Sequence, residues 1–144
     1  MMCTTSRVRI VLRSSRDKAV SNFSPEQIDC IYNNKSLTVP AVNQMPYSIG
    51  RWDSALVDAD DKRGNIVVQA YSPLRSGRLI RDEDCQTIGA KYGKTAAQVA
   101  LRWLVQHRVT FSTESKSAEH FKQDLDIFDF TLTPAEMRLL DAKK

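Results

Sequence analysis

Residues 19–27 read Ala19-Val20-Ser21-Asn22-Phe23-Ser24-Pro25-Glu26-Gln27, and two kinds of element meet inside them. Ala19 to Asn22 read as the end of a strand. Ser24 then opens a helix: its hydroxyl can cap, Pro25 fits the first helical position because its missing N–H would have no partner there, and Gln27 can reach back to the cap. The helix should run to about Asn33 and bury Ile28 and Ile31. A strand that passes directly into a helix is the first half of a βα unit, and the rest of the chain shows whether the unit repeats.

It does repeat. Residues 39–45 are apolar before a polar end, as in a buried parallel strand. Asp53 can cap a helix carrying Ala55, Leu56 and Val57 and ending by Gly64. Residues 65–71 make a second such strand, followed by a loop over residues 72–79 that contains Pro73 and Gly77. A helix is expected from about Asp82 to Tyr92, stopped by Gly93. Thr95 caps a further helix whose one face holds Val99, Ala100, Trp103, Leu104 and His107; on that face His107 reads as a packed residue. Residues 109–112 form a third short strand. Residues 117–128 read as a helix with Phe121, Leu125 and Phe128 at i, i+4 and i+7. Thr133-Pro134-Ala135-Glu136 repeats the cap, proline and acid start and opens a last helix with Met137, Leu140 and Ala142. Strands and helices alternating at this spacing predict an α/β fold of parallel βα units. Three to four units are about half of an eight-unit (β/α)8 TIM barrel, which typically needs about 250 residues. The expected architecture is therefore a partial barrel, its last three to four βα units plus C-terminal helices.

Composition sets the remaining bounds. The 144 residues are 42% hydrophobic and 26% charged, within the range of globular domains. No apolar run approaches the roughly 18 residues that span a bilayer. Cys3, Cys30 and Cys85 are odd in number and lack metal-ligand spacing, so they read as reduced thiols, which suits a cytoplasmic protein. With only His107 and His120, no metal site is expected. Residues 1–20 carry Arg7, Arg9, Arg13, Arg16 and Lys18 against Asp17, which equals the whole formal net charge of +4, while the rest balances at 16 basic and 16 acidic residues. A folded nucleic-acid binder would carry its excess on the domain, and no aromatic residue interleaves with those arginines. Residues 1–18 are accordingly expected to be a disordered basic leader, and residues 19–144 the folded domain. The leader's Arg- and Ser-rich composition also fits an organellar targeting segment. A frayed terminus, or a segment paired with structure outside this chain, fits it too.

Four stretches in order resemble the aldo-keto reductases: residues 19–27, Pro40-Ala41-Val42-Asn43-Gln44, Ala70-Tyr71-Ser72-Pro73-Leu74, and residues 91–104, Lys-Tyr-Gly-Lys-Thr-Ala-Ala-Gln-Val-Ala-Leu-Arg-Trp-Leu. The tail at residues 126–137 adds a fifth. The resemblance covers the family's C-terminal, cofactor-holding half and implies an NAD(P)-dependent oxidoreductase that reduces carbonyls to alcohols. It also implies a cofactor site. Ser21, Asn22 and Gln44, at strand ends, would hold the nicotinamide carboxamide, which has donors and an acceptor to satisfy. Tyr71 would stack on the ring. Ser72, Leu74 and Ser76 match the loop over the pyrophosphate, where Arg75 and Arg78 add positive charge. Ser115, His120, Gln123 and Asp124 match the adenosine end. Each of these residues alone reads equally well as a turn, a surface group or a core side chain.

The adenosine end departs from the family pattern. Where the family commonly has Ile-Pro-Lys-Ser, this chain has Ser112-Thr113-Glu114-Ser115. Glu114 replaces the lysine that pairs with the 2′-phosphate of NADPH, His120 stands for an arginine, and Asp124 for an asparagine. An acid near the ribose suits NADH, whose 2′-hydroxyl it can accept from; Lys116 and Lys122 are the cations available to compensate. The family's tyrosine, lysine, aspartate and histidine tetrad lies N-terminal to the Ser-Asn motif, and residues 1–20 contain no Tyr or His. Three readings follow: a truncated reductase, inactive alone; a non-catalytic cofactor-binding partner subunit, for which the family has precedent; or an incomplete gene product. Open barrel edges favour self-association or a complementary chain in any of them.

Overall fold

The computed structural model describes residues 11–12, 18–115 and 117–143. Two compact units partition the chain: Met1–Met45 with Asp53–Gln69, and Pro46–Trp52 with Ala70–Lys144. The strands are β1 (Val11–Leu12), β2 (Lys18–Ser21), β3 (Val42–Pro46), β4 (Val67–Tyr71) and β5 (Thr110–Phe111), in that order along the sheet. Strands β2 to β5 form the parallel α/β sheet, and β1 pairs antiparallel with β2. Apart from Val11, Leu12 and Lys18, the basic leader, on which the disorder and targeting expectations fall, lies outside the described residues, as does Lys116.

In the first unit β2 and β3 pair in parallel register, Ala19 opposite Val42 and Ser21 opposite Gln44. Helix α1 (Pro25–Tyr32) starts with the expected reciprocal cap: Ser24 Oγ accepts from the Gln27 N–H and Gln27 Oε1 accepts from the Ser24 N–H. Ile28 is fully buried in a cluster with Val20 and Ile66, and Ile31, Phe23 and Val39 pack against it half-buried. Helix α2 (Ser54–Lys62) is capped by Asp53. Arg63, just past its end, donates from Nη2 to Asp29 Oδ2 at 2.9 Å and so ties α2 to α1.

In the second unit the core is aromatic. Trp103 is fully buried on α4 (Ala96–Gln106). Its ring meets Tyr47 at 6.0 Å, Trp52 at 5.9 Å and His107 at 4.4 Å. His107 is thus packed, as its place on the apolar face suggested, with Nε2 2.9 Å from Asp141 Oδ1. Helix α3 (Glu83–Tyr92) ends at Gly93, whose φ of 66° few other residues tolerate. Gly89 is required for another reason: a Cβ there would lie 2.4 Å from the Lys94 carbonyl oxygen. Helices α5 (Ala118–Leu125) and α6 (Pro134–Asp141) complete the unit.

Several expected bounds shift. The strand expected from residue 39 begins at Val42, because Pro40 has no N–H for a ladder bond. Arg78–Arg81 form a single 3₁₀ turn at the end of the expected loop. Helix α5 stops at Leu125, three residues early, and Leu125 is 74% exposed, as is Phe128, beyond the helix, at 67%.

Candidate cofactor site

In the first unit, Ser21 and Asn22 at the end of β2 come together with Gln44, which the structure places in the middle of β3 rather than at the strand end expected for it. The register sets Ser21 opposite Gln44, and the Asn22 N–H donates to the Gln44 carbonyl at 2.8 Å. Asn22 has a φ of 58°, a left-handed conformation that Asn tolerates better than most residues. Its Nδ2 donates to Ser21 Oγ at 3.1 Å, so the two side chains form one polar tip. Ser21 and Asn22 are exposed and Gln44 is half-buried. Gln44 Nε2 donates to Gln69 Oε1 on β4 at 2.7 Å. This contact fixes the amide and directs its Oε1 away from Gln69. Gln69 was not singled out in the sequence, since nothing local marks it as the partner of a residue 25 positions away.

The second unit holds a cavity of about 740 Å³. Tyr71, Ser72, Leu74 and Ser76 line it from the end of β4 and the loop that follows. Ser115, His120, Gln123 and Asp124 line it from the segment after β5 and from α5. All eight residues assigned from this unit therefore share one cavity, although they come from stretches some 40 residues apart in sequence. Ser115 Oγ lies 3.3 Å from His120 Nδ1, and Ser117 Oγ caps α5 by accepting from the His120 N–H. The loop after Tyr71 is built from left-handed residues, with φ of 53° at Ser72, 50° at Arg75, 54° at Ser76 and 84° at Gly77. Left-handed turns can present N–H groups to an anion, while here the Arg75 and Gly77 N–H groups donate to the Ser72 and Leu74 carbonyls at 3.0 Å each.

Two features of the lining were not foreseen. Thr95 and Ala97, at the start of α4, contribute to it; Thr95 was legible only as a helix cap. Arg75 and Arg78 do not line it, and Arg75 reaches the Ile49 carbonyl, with Nη1 3.5 Å away. The charged lining among the described residues is acidic, Glu114 and Asp124, without a lysine or arginine. Among the described residues no three His, Cys, Asp or Glu side chains are grouped to hold a metal, and no helix is long and apolar enough to cross a membrane.

The described residues thus give a parallel α/β sheet and, within the second unit, a cavity rich in hydroxyl-bearing side chains. The chain belongs to the aldo/keto reductase family, whose family model matches residues 16–144. It is 36% identical over 126 residues to an aldo-keto reductase of Mycolicibacterium paratuberculosis, covering 88% of this chain and 43% of the relative. An aldo-keto reductase of Mycolicibacterium vanbaalenii is likewise 36% identical, over 127 residues. Among solved structures, a putative 2,5-diketo-D-gluconic acid reductase B superposes with a TM-score of 0.76 at 31% identity, covering 84% of this chain and 43% of that one. A Gox0644 variant in complex with NADPH gives a TM-score of 0.75 at 30% identity, covering 84% and 44%. The chain thus spans less than half the length of these relatives, and the solved structures extend well beyond the part it matches.

Proposed function

We propose that this chain forms the cofactor-holding part of an NAD(P)H-dependent oxidoreductase that reduces carbonyls to alcohols. The observation that carries the proposal is the single cavity joining Tyr71, Ser72, Leu74 and Ser76 to Ser115, His120, Gln123 and Asp124. Bound nicotinamide supplies a hydride. Ser21, Asn22 and Gln44 hold its carboxamide through hydroxyl and amide groups that can both donate and accept, and the half-buried Tyr71 offers a ring face to stack on. The left-handed loop at Ser72 to Gly77 takes the pyrophosphate through its serine hydroxyls. Ser115, His120, Gln123 and Asp124 hold the adenosine.

Of the two nicotinamide cofactors, the acidic lining favours NADH. Glu114 can accept from a ribose 2′-hydroxyl, whereas a 2′-phosphate would meet Glu114 and Asp124 with no lysine or arginine among the described lining residues to offset them. This reading assigns no proton donor to residues 19–144, so the 144 residues by themselves bind the cofactor without reducing an aldehyde. The test is titration of the purified chain with NADH and with NADPH, followed by nicotinamide fluorescence, and an assay with 4-nitrobenzaldehyde. NADH binding about tenfold tighter than NADPH, a gap of about 1.4 kcal/mol, is the expected result, without turnover. Binding of neither cofactor overturns the reading, and clear turnover overturns its assignment of the chemistry to residues elsewhere.

A further inference from the structure

Asp60 is an acid in a place where acids are seldom found. It sits on α2 with its side chain fully buried. Its Oδ2 accepts from Asn43 Nδ2 at 2.9 Å, while Oδ1 accepts no hydrogen bond from any described residue. Burial pushes its carboxyl up from the ordinary value, against the opposing pull of the Asn43 hydrogen bond and the Arg63 charge. The local geometry asks for little from a carboxylate here, since an apolar side chain would also fill a buried helix position. What the carboxylate contacts gives the reason for it.

Asn43 is also fully buried, on the face of β3 opposite to that of its neighbour Gln44, as the two-residue period of a strand requires. Its amide grips the backbone of Phe23 from both sides. Asn43 Oδ1 accepts from the Phe23 N–H at 3.3 Å, and Asn43 Nδ2 donates to the Phe23 carbonyl at 3.0 Å. Asn22, immediately before, is tied through its own N–H to the Gln44 carbonyl. Residues 43 and 44 of β3 therefore hold residues 22 and 23 at successive peptides, and the left-handed Asn22 lies between the two grips. An amide has one donating and one accepting end, and the grip on Phe23 works in one orientation only. Asp60 Oδ2 accepts, so it admits only the Nδ2 end of Asn43 and occupies the second amide proton, which would otherwise lie buried and unpaired.

We infer that Asp60 is a positioning residue for the nicotinamide end of the site: it fixes the Asn43 amide, which holds Phe23 and so sets the Ser21-Asn22 tip. The inference rests on the cofactor reading above, and the two can fail separately. The probes are NADH, which carries the nicotinamide, and ADP-ribose, which does not, each titrated against the whole chain. Asp60→Leu removes the acceptor at similar volume. It is expected to raise the dissociation constant for NADH about tenfold and to leave that for ADP-ribose within about twofold. Asp60→Asn, which keeps an oxygen for Asn43, is expected to restore NADH binding to within about twofold of wild type. Equal weakening of both ligands, or none, in a folded leucine variant overturns the inference. Should that variant not fold, amide hydrogen exchange in Asp60→Ser decides the point, because the serine hydroxyl is too short to reach Asn43. Exchange at Phe23 should quicken at least about tenfold while Ile28 is unchanged; an unchanged Phe23 rate overturns the inference. If the wild-type chain binds neither NADH nor NADPH, the cofactor reading falls, and the exchange measurement still judges whether Asp60 holds Phe23.

Discussion

Each compact unit holds a carboxylate whose burial opposes its charge, Asp60 in the first and Glu136 in the second, and the two shift in opposite directions. In the first unit Asp60 is fully buried and accepts one side-chain hydrogen bond, from a neutral amide; its carboxyl is pushed up, chiefly by burial. In the second, Glu136 is less deeply placed, only partly buried with its side chain 12% exposed. Burial again opposes its charge, yet its carboxyl is drawn down to about 2. The partners differ as well. Glu136 accepts from Lys91 Nζ at 2.7 Å, Tyr92 Oη at 2.8 Å and the Thr133 N–H at 2.7 Å. Those donors together outweigh the desolvation that prevails at Asp60. Depth and donors both differ between the two acids: the fully buried Asp60 has one neutral donor, and the partly buried Glu136 has several, one of them charged.

Removing the one donor at Asp60 should have the largest effect. Asn43→Leu strands the Asp60 carboxyl and leaves the Phe23 N–H and C=O without their side-chain partner. A loss of about 3 kcal/mol is expected, read as a fall in the urea midpoint at unchanged slope. A loss below about 1 kcal/mol would mean that the Asn43 grip matters little. A smaller effect is expected from Glu136→Gln, because glutamine still caps α6 and the lysine it abandons is largely exposed. About 1 to 2 kcal/mol is expected at neutral pH once solvent screening is allowed for. The sign is fixed by the lowered carboxyl. The contribution of Glu136 is present above its ordinary 4.5 and disappears as pH falls towards about 2. Melting temperatures of wild type and Glu136→Gln should therefore converge across that window, and a gap that persists at pH 2 would show that the carboxylate charge is not its source.

How much of this was legible in the sequence differs between the two carboxylates for the same physical reason. Thr133-Pro134-Ala135-Glu136 announced its cap because both partners sit three residues apart on one turn. Ser21-Asn22 and Gln44 were legible as a proposed cofactor surface only through a family resemblance, and their pairing in register is that of two parallel strands. Asp60 and Asn43 carried no signal. They are 17 residues apart on different elements, and an acid in the run Asp58-Ala59-Asp60-Asp61 reads as a solvated helix face. Helix α5 was legible as a helix, though it ends three residues before the expected Phe128. The spacing of Phe121, Leu125 and Phe128 says that one face is apolar, but not what, if anything, covers it, and in this structure Leu125 and Phe128 are exposed. Periodicity reports a face, while burial depends on a partner elsewhere in the chain.

The smallest expected effect is the most direct test of why Asp60 and Glu136 differ. Asp60→Asn keeps an oxygen towards Asn43 and removes a charge that burial disfavours, so its stability should lie within about 1 kcal/mol of wild type at neutral pH. The informative quantity is how the difference changes with pH. A carboxyl whose folded value is raised binds its proton more tightly in the native state than in the unfolded chain. Wild type then enjoys this linkage fully below the ordinary value of 3.8 and loses it as pH rises through the raised folded value. Asparagine does not titrate. Measured by urea unfolding from acid to neutral pH, the variant should gain on wild type as pH rises, which is opposite in sign to the behaviour of Glu136→Gln, where the variant falls behind as pH rises. A difference that stays flat with pH would place Asp60 at its ordinary value despite its burial. It would also mean that the Asn43 hydrogen bond and the nearby Arg63 guanidinium suffice to solvate the acid, and the contrast with Glu136 would then be one of degree.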